Sequence, residues 1–254
     1  MVNFDLAGRA ALVTGGNGGI GLGIAAGLAE AGASVLIAAR NEQKSADAVQ
    51  SIVDGGGTAA AVRCDVQSSD DIDGAIAATV ERFGGLDILV PNAGIGVGVR
   101  PEKMTDEDWA SVIDINLTGV FRCCQSSYPH LVAAGHGSII TITSMYGIFG
   151  SPTVASYSAS KGGVVQLTKS LATAWARDGV RVNGIAPGWI WSELTAGLAT
   201  DAGTKRRETI IDRTPMAKIG EPSDLAGAAV FLASDAAAFV TGHVLAVDGG
   251  YSIA

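Results

Sequence analysis

Histidine, cysteine and charge are all in short supply in this chain, and each shortage closes off a class of function. The three histidines, His130, His136 and His243, are isolated and offer no metal-ligand spacing and no His–acid pair beside a candidate nucleophile. No GxSxG elbow is present, which removes a serine-hydrolase reading. The three cysteines comprise Cys64 alone and the adjacent Cys123 and Cys124. An odd count without CxxC spacing supports neither a disulfide framework nor a zinc site, and all three read as small buried hydrophobes. Asp, Glu, Lys and Arg together reach 17%, against about 25% in an ordinary soluble domain. The balance is acidic, 25 acids to 17 bases and a net charge of −8, which argues against a nucleic-acid or anionic-membrane partner because both need a basic face.

Two stretches lack formal charge altogether, Ala10 to Leu28 and Cys123 to Ser160. Neither reads as a membrane span. Seven glycines and Asn17 load the first, and Pro129, Gly135, Gly137, Gly147, Gly150 and Pro152 break the second, whereas a spanning helix wants about 20 mostly apolar residues. The N-terminal Met1-Val-Asn-Phe-Asp5 has neither a basic n-region nor an apolar h-region, so the expectation is a cytoplasmic protein without a membrane or nucleic-acid partner.

Glycine, by contrast, is in surplus, 35 of 254 residues, about twice the usual share of roughly 7%. Short apolar runs alternate with longer segments of helical period. The runs are Ala10–Thr14, Ser34–Ala39, Thr58–Cys64, Leu86–Val90, Ser138–Thr143, Val180–Ile185 and His243–Val247; the helical segments include Ile20–Ala31, Gln43–Val53, Asp70–Phe83, Asp106–Leu131, Tyr157–Arg177 and Pro222–Ala233. Strands joined by helices imply βαβ units. The predicted class is α/β, a doubly wound Rossmann fold with a seven-stranded parallel sheet and helices on both faces, in one domain over residues 1–254. The nearly all-apolar strands fit a sheet covered on both sides.

Directly after the first run comes Thr14-Gly-Gly-Asn-Gly-Gly-Ile-Gly21, followed by the helical Leu22–Glu30. Strand, glycine turn and helix in succession form the context of a dinucleotide fingerprint: backbone without Cβ approaches a pyrophosphate, whose charge meets free N–H groups at a helix N-terminus. The second run ends in Ala39-Arg40-Asn41, with no acid where one would select a free ribose 2′-hydroxyl. Arg40 therefore favours NADP(H), with NAD(H) as the alternative; the blander account leaves Arg40 solvated and makes Asn41 a helix N-cap.

The second uncharged stretch ends at Lys161, four positions after Tyr157, so the two share a helix face. A nearby ammonium favours phenolate, and a phenol so tuned can exchange a proton with a carbonyl or alcohol. Ser144 stands at the end of the fifth run, where open α/β sheets bind ligands, and could stabilise a developing oxyanion.

Taken together, the chain resembles the short-chain dehydrogenase/reductase family over essentially its full length. The matching pieces are Thr14–Gly21, Cys64-Asp-Val66, Asn92-Ala-Gly94, Asn116, Ser144, Tyr157–Lys161, Pro187-Gly188 and Val247–Gly250. The resemblance implies a catalytic set of Asn116, Ser144, Tyr157 and Lys161. In it Tyr157 is the general acid/base and Ser144 orients the substrate. Lys161 binds the nicotinamide ribose and depresses the tyrosine pKa, and Asn116 supports a proton-relay water. It also implies that the cofactor meets Gly15, Asn17, Gly18, Gly19, Ile20 and Gly21 of the loop and Arg40 and Asn41 at the ribose. Asp65 and Val66 would meet adenine, Asn92, Ala93 and Gly94 the adenosine side, and Pro187, Gly188, Ile190 and Ser192 the carboxamide end. Two departures stand out: Pro91 replaces a usual Asn, and Ser192 occupies the place of a usual Thr.

The implied reaction is reversible hydride transfer between NADP(H) and a ketone or secondary alcohol. An NAD(H)-dependent sugar-acid or alcohol dehydrogenase is the nearest alternative, and a non-catalytic nucleotide sensor on the same fold a more distant one. A methyltransferase leaves Tyr157 and Lys161 unexplained. Residues 188–215 read as a substrate lid, with Trp189, Trp191, Met145, Phe149, Ile95 and Val97 as an apolar pocket or as ordinary core. Lys205, Arg206 and Arg207 either meet an anionic substrate or form a solvated helix face. Relatives of this kind are commonly homotetramers joined through the segments Asp106–Leu131 and Tyr157–Arg177 and a C-terminal contact.

Overall fold

Strand β1 (Ala10–Thr14) shows how the sheet is built: all five of its residues are buried, with Leu12 packed toward one face and Ala11 and Val13 toward the other. A strand apolar on both sides needs cover on both sides. In the computed structural model, which describes residues 3–254, β1 pairs in parallel with β2 (Ser34–Ala39) and with β4 (Ile88–Pro91). The remaining strands are β3 (Thr58–Arg63), β5 (Ser138–Ile142), β6 (Arg181–Pro187) and β7 (Val244–Val247), and all seven form one parallel sheet in the order β3-β2-β1-β4-β5-β6-β7.

Helices α1 (Gly19–Glu30), α2 (Glu42–Asp54) and α8 (Ala226–Ala233) cover one face. Ile24, Leu28, Ile52, Ala229 and Leu232 pack there on Val13, Ile37, Val90 and Ile185. The other face is covered by α3 (Ser69–Phe83), α5 (Gly119–Ala134) and α6 (Ala155–Trp175), through Ile76, Cys124, Leu131 and Val164 against Leu12, Leu36, Leu89 and Ile139. All three cysteines are free and buried, and burial pushes Cys64 up to about 11 and Cys124 to about 12. No helix among the described residues is long and apolar enough to cross a membrane.

The strand boundaries fall within two residues of the sequence expectation, but the helical segment Asp106–Leu131 is not one α-helix. It consists of α4 (Asp106–Ile113), a π-helical turn at Asp114–Thr118, and α5. Ser144 also lies two residues beyond β5 rather than at its end. Residues 188–215 contain more regular structure than a loop reading suggests: 3-10 turns at Glu193–Ala199 and Asp201–Gly203 and helix α7 (Thr204–Arg213).

The strand order reverses between β1 and β4, where β1 is flanked by β2 on one side and β4 on the other. Chain leaving the two halves of such a sheet diverges at that point and opens a crevice at the carboxyl ends of the strands.

Candidate active site

That crevice is a cavity of about 330 Å³, bounded by the glycine loop, the ends of β2 and β4, and the start of the 188–215 segment. Its floor is set by close approach. Gly15 adopts φ +63, a left-handed conformation open to glycine, and at Gly21 a Cβ would stand 2.2 Å from the Gly15 carbonyl oxygen and 2.4 Å from Asn92 Nδ2. Asn92 ties the turn down by donating from Nδ2 to the Thr14 and Gly15 carbonyls, both at 3.0 Å. The Thr14 hydroxyl in turn accepts from the N–H groups of Asn92 and Ala93. Pro91 costs the sheet little, because it pairs only with Thr14 and the β4–β5 register stops at Leu89.

Helix α1 differs at its N-terminus from the three helices that follow it in the chain. Side chains cap α2 (Asn41 accepting from Lys44 N), α3 (Ser68 from Asp71 N) and α4 (Thr105 from Asp108 N), and each has acids in its first turn. The N-cap of α1 is Gly18, with no side-chain cap and no acid in the first turn. Its N–H groups and the positive end of its dipole are left to face the cavity, as an anionic diphosphate requires. At the far wall stand the exposed Arg40 and Lys44. Lys44 pairs with Glu193 across the cavity mouth. Asn41 does cap α2, and it also takes part in the wall: Asn17 Nδ2 donates to its carbonyl at 3.2 Å and to Ser45 Oγ at 3.1 Å. The glycine cradle, the uncapped helix and the basic far end fit a nicotinamide dinucleotide.

Asp65, Val66, Asn92, Ala93, Gly94, Ser192, Tyr157 and Lys161 line the same cavity. Pro187, Gly188 and Ile190 do not. The Gly188 N–H bonds the Val247 carbonyl, and Ile190 is buried, bridges to Gly220 and accepts at its carbonyl from Thr195 Oγ1 at 2.7 Å. Ser192 caps the turn that follows, its N–H donating to Thr195 Oγ1 at 2.9 Å.

Tyr157 and Lys161 lie in the first two turns of α6, on one face. Lys161 is 3% exposed. Its Nζ donates to the Ile142 carbonyl at 2.7 Å and stands 5.7 Å from the centre of the Tyr157 ring. Burial pulls the lysine down to about 8. For Tyr157 the chain by itself runs opposite to the sequence expectation: burial holds the phenol above its ordinary value, and the nearby Ser144 hydroxyl pulls it partly back down. Lys161 is not among the groups that shift it, and its Nζ donates to the Ile142 carbonyl. Ser144 Oγ also accepts from Tyr146 N at 3.1 Å.

Asn116 is fully buried in the π-helical turn. Its Oδ1 accepts from Ile95 N at 2.8 Å, and its Nδ2 donates to the Ile95 carbonyl at 2.8 Å and to Ser160 Oγ at 3.2 Å. The carboxamide thereby clamps the chain after β4 to α6, one residue before Lys161. A π turn inside a helix is a frequent accompaniment of such a site.

Sequence reasoning missed Thr14, Lys44, Glu193 and Thr195, and it missed two aromatics. Tyr146 and Tyr251 join Met145, Phe149, Trp189 and Trp191 in a cluster beside Ser144, while Ile95 turns to the cavity and Val97 joins neither. Thr14 could have been found from its place at the head of the glycine turn.

Comparison with known proteins agrees with this geometry. A family model described as Enoyl-(Acyl carrier protein) reductase matches residues 15–252. The cis-4-hydroxycyclohexanecarboxylate dehydrogenase of Sinomonas cyclohexanicum is 42% identical over 96% of this chain and 96% of its own. A 3-oxoacyl-[acyl-carrier-protein] reductase of Synechocystis sp. is 41% identical over 96% and 97%. The crystal structure of a gluconate 5-dehydrogenase from Burkholderia cenocepacia J2315, in complex with NADP and tartrate, superposes with a TM-score of 0.93 at 42% identity, over 100% of this chain and 98% of that one. With full-length matches to the family model, to curated enzymes and to a solved fold, the chain belongs to the short-chain dehydrogenase/reductase family of oxidoreductases.

Proposed function

We propose that this chain, acting as one dinucleotide-binding and catalytic unit with residues 188–215 as substrate lid, interconverts a ketone and a secondary alcohol using NADP(H). The observation that carries the reading is a single cavity with a glycine cradle and an uncapped helix at one end and Tyr157 with Lys161 at the other. When bound, the nicotinamide supplies or accepts the hydride. The glycine loop and the α1 N-terminus hold the diphosphate, Asp65 and Val66 the adenine, and Asn92, Ala93 and Gly94 the adenosine side. Ser192 would stand at the carboxamide end, whereas Pro187, Gly188 and Ile190 do not line the cavity and would serve it only by placing that segment.

In the reducing direction, Tyr157 Oη gives its proton to the carbonyl oxygen while the Ser144 hydroxyl donates a hydrogen bond to the same oxygen. Lys161 binds the nicotinamide ribose and, as a buried cation, favours the phenolate left behind. Asn116 acts through Ile95 and Ser160, holding the loop and α6 in register. Oxidation reverses these proton transfers.

Arg40 supports NADP(H), since no acid stands at the end of β2 and a 2′-phosphate there would meet a guanidinium. Solved relatives with bound NADP support the same preference. The second reading, an NAD(H)-dependent sugar-acid or alcohol dehydrogenase, draws support for its sugar-acid substrate alone from relatives named as gluconate 5-dehydrogenases, one of them from Gluconobacter oxydans at 39% identity.

Loss of NADPH absorbance with a panel of ketones tests the reaction. Tyr157→Phe is expected to lower kcat by about 100-fold or more, and undiminished turnover would sink the mechanism. Arg40→Ala is expected to weaken NADPH binding about tenfold more than NADH binding; equal losses for the two cofactors favour the second reading.

A further inference from the structure

Helix α7 carries three successive cations, Lys205, Arg206 and Arg207, and a fourth, Arg213, two turns on. Successive helical residues point about 100° apart, so the three neighbours cannot act together, whereas positions seven apart share a face. Arg207 is tied into the 188–215 segment by donating from Nη1 to the Leu198 carbonyl at 2.9 Å. Arg206 turns onto the aromatic cluster, its guanidinium carbon 5.2 Å from the centre of the Trp189 ring. Arg213 follows on the same face, 4.3 Å from the Tyr251 ring and 5.7 Å from that of Phe149, with Nη1 3.4 Å from the Tyr251 hydroxyl.

These rings cluster around Met145, the residue after Ser144. Tyr146, two residues after Ser144, packs edge-on against Trp189 at 6.0 Å and Phe149 at 5.7 Å. Its N–H donates to Ser144 Oγ at 3.1 Å, and the Trp189 ring against which it packs is the one that Arg206 faces. The Tyr146 ring therefore lies between the Trp189–Arg206 pair and Ser144. Among the described residues neither Arg206 nor Arg213 meets a carboxylate within ion-pair distance. The buried Trp189 Nε1–H of the same cluster has no acceptor. Two cations without anions and an unused donor, set beside a hydride-transfer centre, describe the recognition of a negative group.

We propose that the substrate is an oxo or hydroxy acid whose carboxylate is held by Arg206, with Arg213 closing the far end, while its carbonyl or hydroxyl lies at Tyr157. This assignment rests on the hydride-transfer reading above. A planar guanidinium fork matches the two oxygens of a carboxylate. A phosphate site more often adds backbone N–H groups at a glycine loop or helix N-terminus, and in this chain those stand at the cofactor end. The intervening ring also sets the spacing. The acid and the carbonyl should be several carbons apart, as in 5-oxohexanoate, rather than adjacent as in a 2-oxo acid.

Initial rates with NADPH on 4-oxopentanoate, 5-oxohexanoate and 6-oxoheptanoate, each beside its methyl ester, test the assignment in the wild type, Arg206→Met and Arg213→Met. NADPH titration of each variant verifies the fold. The wild type is expected to prefer the acid over its ester by about tenfold or more in kcat/KM, a factor that one charge-assisted contact supplies. Arg206→Met should bring that ratio close to one by raising KM for the acid. Arg213→Met should lower it by a smaller factor. Equal rates on acid and ester in the wild type, an Arg206→Met enzyme that keeps the acid preference, or a stronger preference for a phosphate-bearing ketone each overturns the carboxylate assignment while leaving hydride transfer intact. Failure of every ketone with both cofactors removes the underlying reaction and the assignment with it.

Discussion

Lys161 is the residue at which folding and chemistry pull against each other. Below pH 8 its ammonium is protonated in both folded and unfolded chains, and the folded state bears the full cost of burying it. Between about 8 and the ordinary value of 10.5 the folded chain has released the proton and the unfolded chain has not, so stability gains from this residue as the pH rises. At roughly 1.4 kcal/mol for each pH unit, the gain across that window is about 3 kcal/mol. Urea denaturation of the wild type and Lys161→Met from pH 8 to 10.5 isolates it: the stability difference between them should shift toward the wild type by that order, and a pH-independent difference would show the lysine to be unstrained. The spacing of Tyr157 and Lys161 was legible in the sequence, as was the placement of Ser144 near a strand end. Burial was not, and burial decides that the phenol starts above its ordinary value.

The glycine turn and the helix it opens are the element on which the proposed cofactor binding depends, and the glycines in it are not equivalent. Gly21→Ala would drive a Cβ into the Gly15 carbonyl, a backbone atom that cannot swing aside, at a cost of about 1–3 kcal/mol. Its thermal midpoint and NADPH affinity should both fall. Gly18 is extended, and a Cβ there would meet nothing within 4 Å, so Gly18→Ser should hold stability to within about 0.5 kcal/mol. Differential scanning fluorimetry beside NADPH titration checks the pair, and equal destabilisation would contradict the close-approach argument. The motif was readable because glycine spacing after an apolar run is local information. The π-helical turn at Asp114–Thr118 was not, because its residues keep the apolar period of the flanking helices. The extra backbone unit exists to let Asn116 reach Ile95 and Ser160, which are distant in sequence.

On the scale of the whole molecule, alternation of strand and helix implies a parallel sheet before any coordinate is known, since parallel neighbours need helical crossovers. The homotetramer that the family resemblance implies would use α4, α5 and α6. Trp109 on α4, Phe121 on α5 and Ile253 at the C-terminus are exposed at 44%, 41% and 89%, apolar surface that such contacts would remove from water. Analytical ultracentrifugation is expected to give about four chain masses, and a monomer at micromolar concentration would exclude that assembly.

By itself the sequence determined the fold class, the glycine turn ahead of α1 and the spacing of the proposed catalytic Ser144, Tyr157 and Lys161, because each is written in periodicity or in local spacing. Only the tertiary structure decided what the cations of residues 188–215 face. Lys205, Arg206 and Arg207 are alike as a run of sequence. Helical rotation sends Arg207 to a carbonyl of its own segment and Arg206 to the Trp189 ring, which packs on Tyr146 two residues after Ser144, and that direction depends on Tyr146, Trp189 and Tyr251 arriving from three separate parts of the chain.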